Sequence, residues 1–182
     1  MRVAAASCDG WEGGWVAVWE ADVWEGKGEA MKVLECWVGG EPVAQPRARA
    51  VSFRGRARMY DPGTAKVWKW CVKRVVGEEI GRMDGWGGWP AGVPLRMELV
   101  FMLKRPKGHY GTGRNAGRLK GGLPGAPMGR PDLDNLAKAV MDALTDMGLW
   151  ADDSQVVDLR VRKLWQQDET GCRLRVSEWG LE

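Results

Sequence analysis

Residues 131–165 leave this chain little local freedom. Pro131 suits the opening of a helix, and Asp132, Asp134 and Asn135 are all capping types. From there Leu136, Val140, Ala143 and Met147 recur at helical spacing and form an apolar face. Asp134, Lys138 and Asp142 are each four apart and share another face. Gly148 closes the helix. Beyond the turn, Gln155 to Trp165 reads as a strand, with Val157, Leu159 and Val161 on one face and Asp158, Arg160 and Arg162 on the other. Asp152 and Asp153 stand where that strand begins. Folding it back on the helix would bring Asp153 to the helix start.

Three carboxylates, Asp132, Asp134 and Asp153, together with Lys138, are the candidate chemistry. Acids with no histidine nearby suit a hard, oxygen-seeking cation such as Mg²⁺, with Mn²⁺ as its substitute. Mg²⁺ keeps several waters, so two or three Asp suffice; Asp152 is a candidate outer ligand. Such an ion acidifies a water and neutralises charge on a phosphodiester, and a lysine adds a point charge where the transition state builds negative charge. Each piece alone has an ordinary explanation. Asp near a helix start is usually a cap, Asp134–Lys138–Asp142 is usually a solvated ion-pair ladder, and Asp-Asp-Ser is common turn chemistry. The combination is less ordinary, because clustered carboxylates repel one another and a cation resolves that repulsion.

Elsewhere the chain reads as an α+β domain with a small, mainly antiparallel or mixed sheet and two main helices. Met31 to Val38 is a first strand. Residues 47–58 hold five arginines (Arg47, Arg49, Arg54, Arg56 and Arg58) and no acid, the pattern of a hairpin or loop near phosphates or of a charged sheet edge. Residues 63–83 form an amphipathic helix with Val67, Val72, Val75, Val76 and Ile80 as core, and Lys66, Lys69, Lys73 and Arg74 exposed, some as candidate phosphate contacts. Trp68 and Trp70 are read as packing. Residues 94–103 alternate as a strand with Leu95, Met97, Leu99 and Phe101 on one face. Residues 105–130 contain six basic residues, eight glycines and no acid. Such an insert is expected to stay mobile until it meets a polyanion, which makes Arg114, Arg118, Lys120 and Arg130 candidate phosphate contacts. A plain linker is the alternative. The last strand begins near Arg173.

Charge is unevenly spread. The chain holds 27 basic and 24 acidic residues, of which two and six lie in residues 1–30; the remaining 25 and 18 give a net +7. A basic body can be a nucleic-acid footprint or merely a soluble surface. Cys8, Cys36, Cys71 and Cys172 are scattered, with no CxxC pair to suggest zinc and no disulfide framework, which fits a reducing cytoplasm. The single histidine, His109, lies in the glycine-rich insert, which disfavours a nuclease built on a histidine base. No run of about 18 apolar residues marks a membrane span.

The run Arg130-Pro-Asp-Leu-Asp-Asn-Leu-x-Lys-Ala-x-x-Asp-Ala-Leu, followed by Asp152-Asp-Ser-Gln-Val-Val-Asp, resembles the RusA-type Holliday junction resolvases, crossover junction endodeoxyribonucleases of bacteria and their phages. Gly40-Glu-Pro-Val-Ala-Gln-Pro-Arg-Ala-Arg and Met59-Tyr-Asp-Pro are weaker matches to the same pattern. The resemblance covers about residues 31 to 179. It implies a small homodimeric α+β fold and Mg²⁺-dependent symmetric cutting of four-way DNA junctions in recombination and repair. The essential acids then fall on Asp132, Asp134 and Asp153 and the important lysine on Lys138, with Asp152 matching the first of the paired acids. A flap-cutting nuclease and a junction-binding protein that no longer cuts are the rival readings. Residues 1–30 have no counterpart in the pattern. They are expected to be spurious or disordered ahead of a start at Met31, the alternative being a helical stripe through Trp11, Trp15 and Trp19.

Overall fold

The alternating runs become strands and the 3.6-period runs become helices, in the order β1 (Val33–Gly39), β2 (Arg49–Phe53), β3 (Arg56–Tyr60), α1 (Lys66–Ile80), β4 (Leu95–Lys104), α2 (Leu133–Asp146), β5 (Val156–Gln166) and β6 (Gly171–Glu178). The computed structural model describes residues 32–47, 49–53, 56–60 and 62–180, with backbone alone for 49–53 and 56–60. The expectations for residues 1–30, for Arg54 and for the side chains of Arg49, Arg56 and Arg58 lie outside the described residues. Four strands form a mixed sheet in the order β1-β6-β4-β5, and β2 and β3 pair separately as the expected antiparallel hairpin. β5 runs parallel to β4, whereas the β1–β6 and β4–β6 pairs are antiparallel. A parallel neighbour requires a long crossover, and α2 with the preceding insert supplies it.

One face of the sheet is covered by the two helices. Leu95, Met97, Leu99 and Phe101 of β4, with Leu34, Val38, Leu174 and Val176, are buried against Trp68, Val72 and Val76 of α1 and Leu136, Ala139, Val140, Ala143 and Leu144 of α2. Each such aliphatic side chain contributes roughly 1.5–3 kcal/mol on burial. The other face is polar. Arg96 pairs with Asp158 at 2.7 Å, Arg173 with Glu35 at 2.6 Å, and the buried Glu98 lies 3.7 Å from Arg160 and 3.9 Å from Arg175. These are cross-strand partners, and their opposite charges stabilise the register they sit in. Among the described residues no helix is long and apolar enough to cross a membrane.

Three expectations are corrected. Val67 is 75% exposed and Trp68 takes its place in the core. The buried stripe runs Trp68–Val72–Val76, because the indole offers more apolar area than a valine at the neighbouring position. Trp70 faces outward beneath Arg74, whose guanidinium lies 5.6 Å from the ring. Lys69, expected to stand exposed, is held between the helices by Asp142 at 2.9 Å, and Lys73 by Asp146 at 3.0 Å. Finally, the basic insert is folded. It holds two short 3₁₀ turns, Lys107–His109 and Gly113–Asn115, and Tyr110 and Leu119 bridge across it. Its base rests on Trp165, with His109 edge-on at 5.6 Å and Arg105 stacked at 5.6 Å. Backbone hydrogen bonds and one aromatic anchor order a segment that has no core of its own.

Cys36, Cys71 and Cys172 are free thiols. Burial, with Glu79 and Glu35 adding to it, pushes the Cys36 thiol up to about 12, and burial raises Cys172 as well. Both are packing groups rather than nucleophiles.

Candidate active site

α2 begins one residue after Asp132, its N-cap, so Pro131 precedes the cap rather than opening the first turn. The Asp132 side chain makes no capping hydrogen bond. That is unusual for an aspartate so placed, and it leaves the carboxylate available. Asp134 occupies the first turn and is exposed, and its carboxylate accepts from the Asn135 side-chain amide at 3.3 Å. Lys138 follows one turn later.

The far end of α2 determines where the chain returns. Gly148 adopts φ +75°, its amide donates to the Thr145 carbonyl, and the Leu149 amide donates to that of Leu144. This is a Schellman closure, in which only glycine takes the left-handed position without strain. Leu149 and Trp150 are buried immediately afterwards, and the Trp150 indole donates to the Thr145 hydroxyl at 2.7 Å. A neighbouring loop carrying Trp86 and Trp89 packs here; the Trp89 amide donates to the Leu149 carbonyl at 2.8 Å. Gly88 is required there, since a Cβ would sit 2.5 Å from the Leu149 carbonyl oxygen.

The two consecutive acids of the turn then part company. Asp152 caps the turn Asp153–Gln155 by accepting from the Ser154 amide at 2.9 Å, and the Ser154 hydroxyl first, then that amide, hold its carboxyl below the ordinary value although it is fully exposed. The Asp153 carboxylate has no hydrogen bond or ion pair among the described residues, and only its backbone carbonyl is engaged, accepting from the Val156 amide. Gln155 completes the turn in a way its sequence context did not announce. Its oxygen accepts from the Ala151 amide at 2.9 Å, while its nitrogen donates to the carbonyls of Pro90 at 2.9 Å and Val93 at 3.0 Å. One side chain therefore ties the Asp153 turn to the tryptophan loop. Gln155→Ala removes these bonds and leaves two carbonyls to find water. At roughly 0.5–1.5 kcal/mol per net bond, losing three gives about 1.5–4.5 kcal/mol, read as a Tm lower by roughly 3–18 °C; an unchanged melting curve would show the turn to be self-supporting.

Asp134, Lys138 and Asp153 converge on one open cleft of about 690 Å³, floored by Leu133, Ala137, Met141, Leu159 and Val161. Asp132 lies outside that lining, at the helix start. Among the described residues no three His, Cys, Asp or Glu side chains are gathered closely enough to hold a metal by themselves. The donor chemistry nonetheless fits Mg²⁺. Asp134 and Asp153 present hard carboxylate oxygens on one cleft, no cation of the described residues occupies them, and an octahedral ion takes most of its ligands from water and substrate.

Lys138 is 59% exposed and 3.1 Å from Asp142, four residues on. Asp142 also holds Lys69, so two ammoniums share one carboxylate and a net positive charge remains beside the cleft. Burial pulls the Asp142 carboxyl upward, but the hydrogen bonds and charges of Lys69 and Lys138 outweigh it and hold the group below its ordinary value. The ladder anticipated through Asp134 is therefore only half formed: its second rung exists, and Asp134 is left to the cleft.

Of the candidate phosphate contacts, Arg47, Lys66, Arg114, Arg118, Lys120 and Arg130 are exposed. Lys120 also donates to the Gly108 carbonyl at 2.8 Å, bracing the insert. Lys69 is engaged between the helices.

The family model described as Endodeoxyribonuclease RusA matches residues 39–177. An uncharacterized protein of Bacillus subtilis, YqaN, is 33% identical over 138 residues, 76% of this chain and 92% of its own length. The crossover junction endodeoxyribonuclease RusA of Escherichia coli K12 is 51% identical over 53 residues, which is 29% of this chain and 44% of that enzyme. The RusA protein of Enterobacteria phage 82 matches over the same extent.

Proposed function

The chain belongs to the RusA endodeoxyribonuclease family, and from that membership we propose a Mg²⁺-dependent nuclease that resolves four-way DNA junctions in recombination and repair, acting as a homodimer in the cytoplasm. The observation that carries the reading is the cleft where Asp134, Asp153 and Lys138 meet with no described protein cation on either carboxylate. A four-way junction has two equivalent strands to cut, and two equivalent cuts call for two copies of one site, which a two-fold dimer supplies.

Asp134 and Asp153, with Asp132 from the helix start, are the residues that would hold the ion. When bound, Mg²⁺ supplies Lewis-acid polarisation of the phosphodiester and a more acidic water. Lys138 places its ammonium where negative charge grows on the phosphate. Asp142 keeps that ammonium over the cleft. Asp152 shapes the turn, and its cap to Ser154 makes it at most an outer contributor. The exposed cations of the insert, with Arg130, Arg47 and Lys66, follow the DNA backbone.

The test is cleavage by the full chain of four-way, three-way, flap and linear DNA in Mg²⁺ and in chelator. We expect paired cuts at the four-way branch point, abolished by chelation. Junction binding without cutting would identify a non-cutting binder, and equal cutting of flaps a broader branched-DNA nuclease. The insert has its own expected outcome. Changing Arg114, Arg118 and Lys120 to Ser removes up to three phosphate contacts, each worth roughly 0.9 in the slope of log affinity against log salt. The slope should become shallower by up to about three, with cleavage at saturating protein nearly unchanged. An unaltered salt titration would leave the insert as a linker.

A further inference from the structure

Lys163 stands on the helix-facing side of β5, opposite Phe101 in the register with β4. Its ammonium meets no carboxylate among the described residues. It donates instead to two backbone carbonyls, those of Gly129 at 2.7 Å and Pro131 at 2.9 Å. Both belong to the segment that leads into α2, more than thirty residues away in the chain. Pro131 immediately precedes Asp132.

We propose that Lys163 is a positioning residue for Asp132, tethering the entrance of α2 to the sheet so that the Asp132 carboxylate is presented to the metal. The inference rests on the reading of Asp132 as a metal ligand. Among the described residues the Asp132 side chain makes no capping bond or ion pair that would fix it. Its place is inherited from the backbone on either side. On the helix side, the Leu136 amide donates to the Asp132 carbonyl at 3.1 Å. On the other side, the incoming chain is the glycine-rich insert, and the hold nearest to Asp132 is the Lys163 ammonium. Bonds from a charged donor are the stronger kind, and a lysine offers three donors with no acceptor of its own, which suits it to gather two carbonyls at one point. Groups that orient a metal ligand without touching the metal characteristically change affinity by roughly ten- to a hundredfold when removed.

The experiment compares Lys163→Met, which keeps length and loses the donors, with Lys163→Arg, which keeps them. Mn²⁺ binding to the full chain without DNA is measured by the paramagnetic signal of the free ion, alongside the melting temperature and metal-free junction binding. We expect Lys163→Met to weaken Mn²⁺ binding by roughly ten- to a hundredfold, Lys163→Arg to restore most of it, and junction binding to stay within about twofold, since the footprint cations are untouched. Mn²⁺ affinity unchanged in Lys163→Met overturns the inference, as does an equal loss in Lys163→Arg, which would point to the ammonium itself and not to its tether. If Lys163→Met does not fold, Lys163→Gln, with one amide donor, carries the same comparison. Asp132→Asn is measured beside them. If it loses Mn²⁺ while Lys163→Met does not, the tether alone fails; if it too binds normally, the assignment of Asp132 to the metal fails.

Discussion

Asp153→Asn is expected to leave a protein that binds four-way junctions and no longer cuts them. The substitution preserves size and removes one charge from a side chain that has no protein partner among the described residues, so stability should stay within about 0.5 kcal/mol. What changes is the cleft, where Asp153 faces Asp134 and Lys138. A metal's stabilisation of charge on a transferring phosphoryl group is worth several kcal/mol. With about 1.4 kcal/mol per factor of ten in rate, cutting should fall by roughly a thousandfold or more. Junction affinity should hold or increase, because a negative charge has been taken from a surface that meets phosphate. Single-turnover cleavage and a gel-shift titration read the two quantities separately. Cutting at the native rate in millimolar Mg²⁺ would remove Asp153 from the site. The neighbouring Asp152→Asn is the internal control, since that carboxylate is engaged with the Ser154 amide.

Lys138→Ala separates two readings of one geometry. The 3.1 Å contact with Asp142 is an exposed pair one helical turn apart. As a surface ion pair it contributes well under about 1 kcal/mol, and Asp142 would keep Lys69 as its partner. If that were its whole role, the variant would melt and cut like the native protein. If the ammonium acts on the phosphate, the single-turnover rate drops by roughly a hundredfold or more, while Mn²⁺ affinity and the melting temperature barely move. The pattern differs from that of Asp153→Asn, where metal affinity falls with rate. An unchanged rate would return Lys138 to the solvated ladder.

Much of this was legible in order along the chain. Periodicities of 2 and 3.6 identified β1, β4, β5, β6 and both helices, because each element must turn one apolar face to the core and local spacing records which face that is. That Asp134, Lys138 and Asp153 share one cleft was legible for a related reason. Their helix and turn are made by adjacent residues, and Gly148 announces the reversal between them. Tertiary structure decided the rest. That β5 lies parallel to β4 depends on where the crossover places it. That Trp68 rather than Val67 is buried depends on which stripe of α1 meets the sheet. Asp152 and Asp153 are identical in sequence terms, yet one caps a turn and the other faces a cleft. Lys69 reads as a surface cation until α2 brings Asp142 to it, and Lys163 reads as one more charge on a strand until the chain before Asp132 folds over its ammonium. Apart from the Asp152 cap, each of these depends on residues far apart in the chain. No local pattern encodes such contacts, because the partner's identity enters the energy only after the elements have packed.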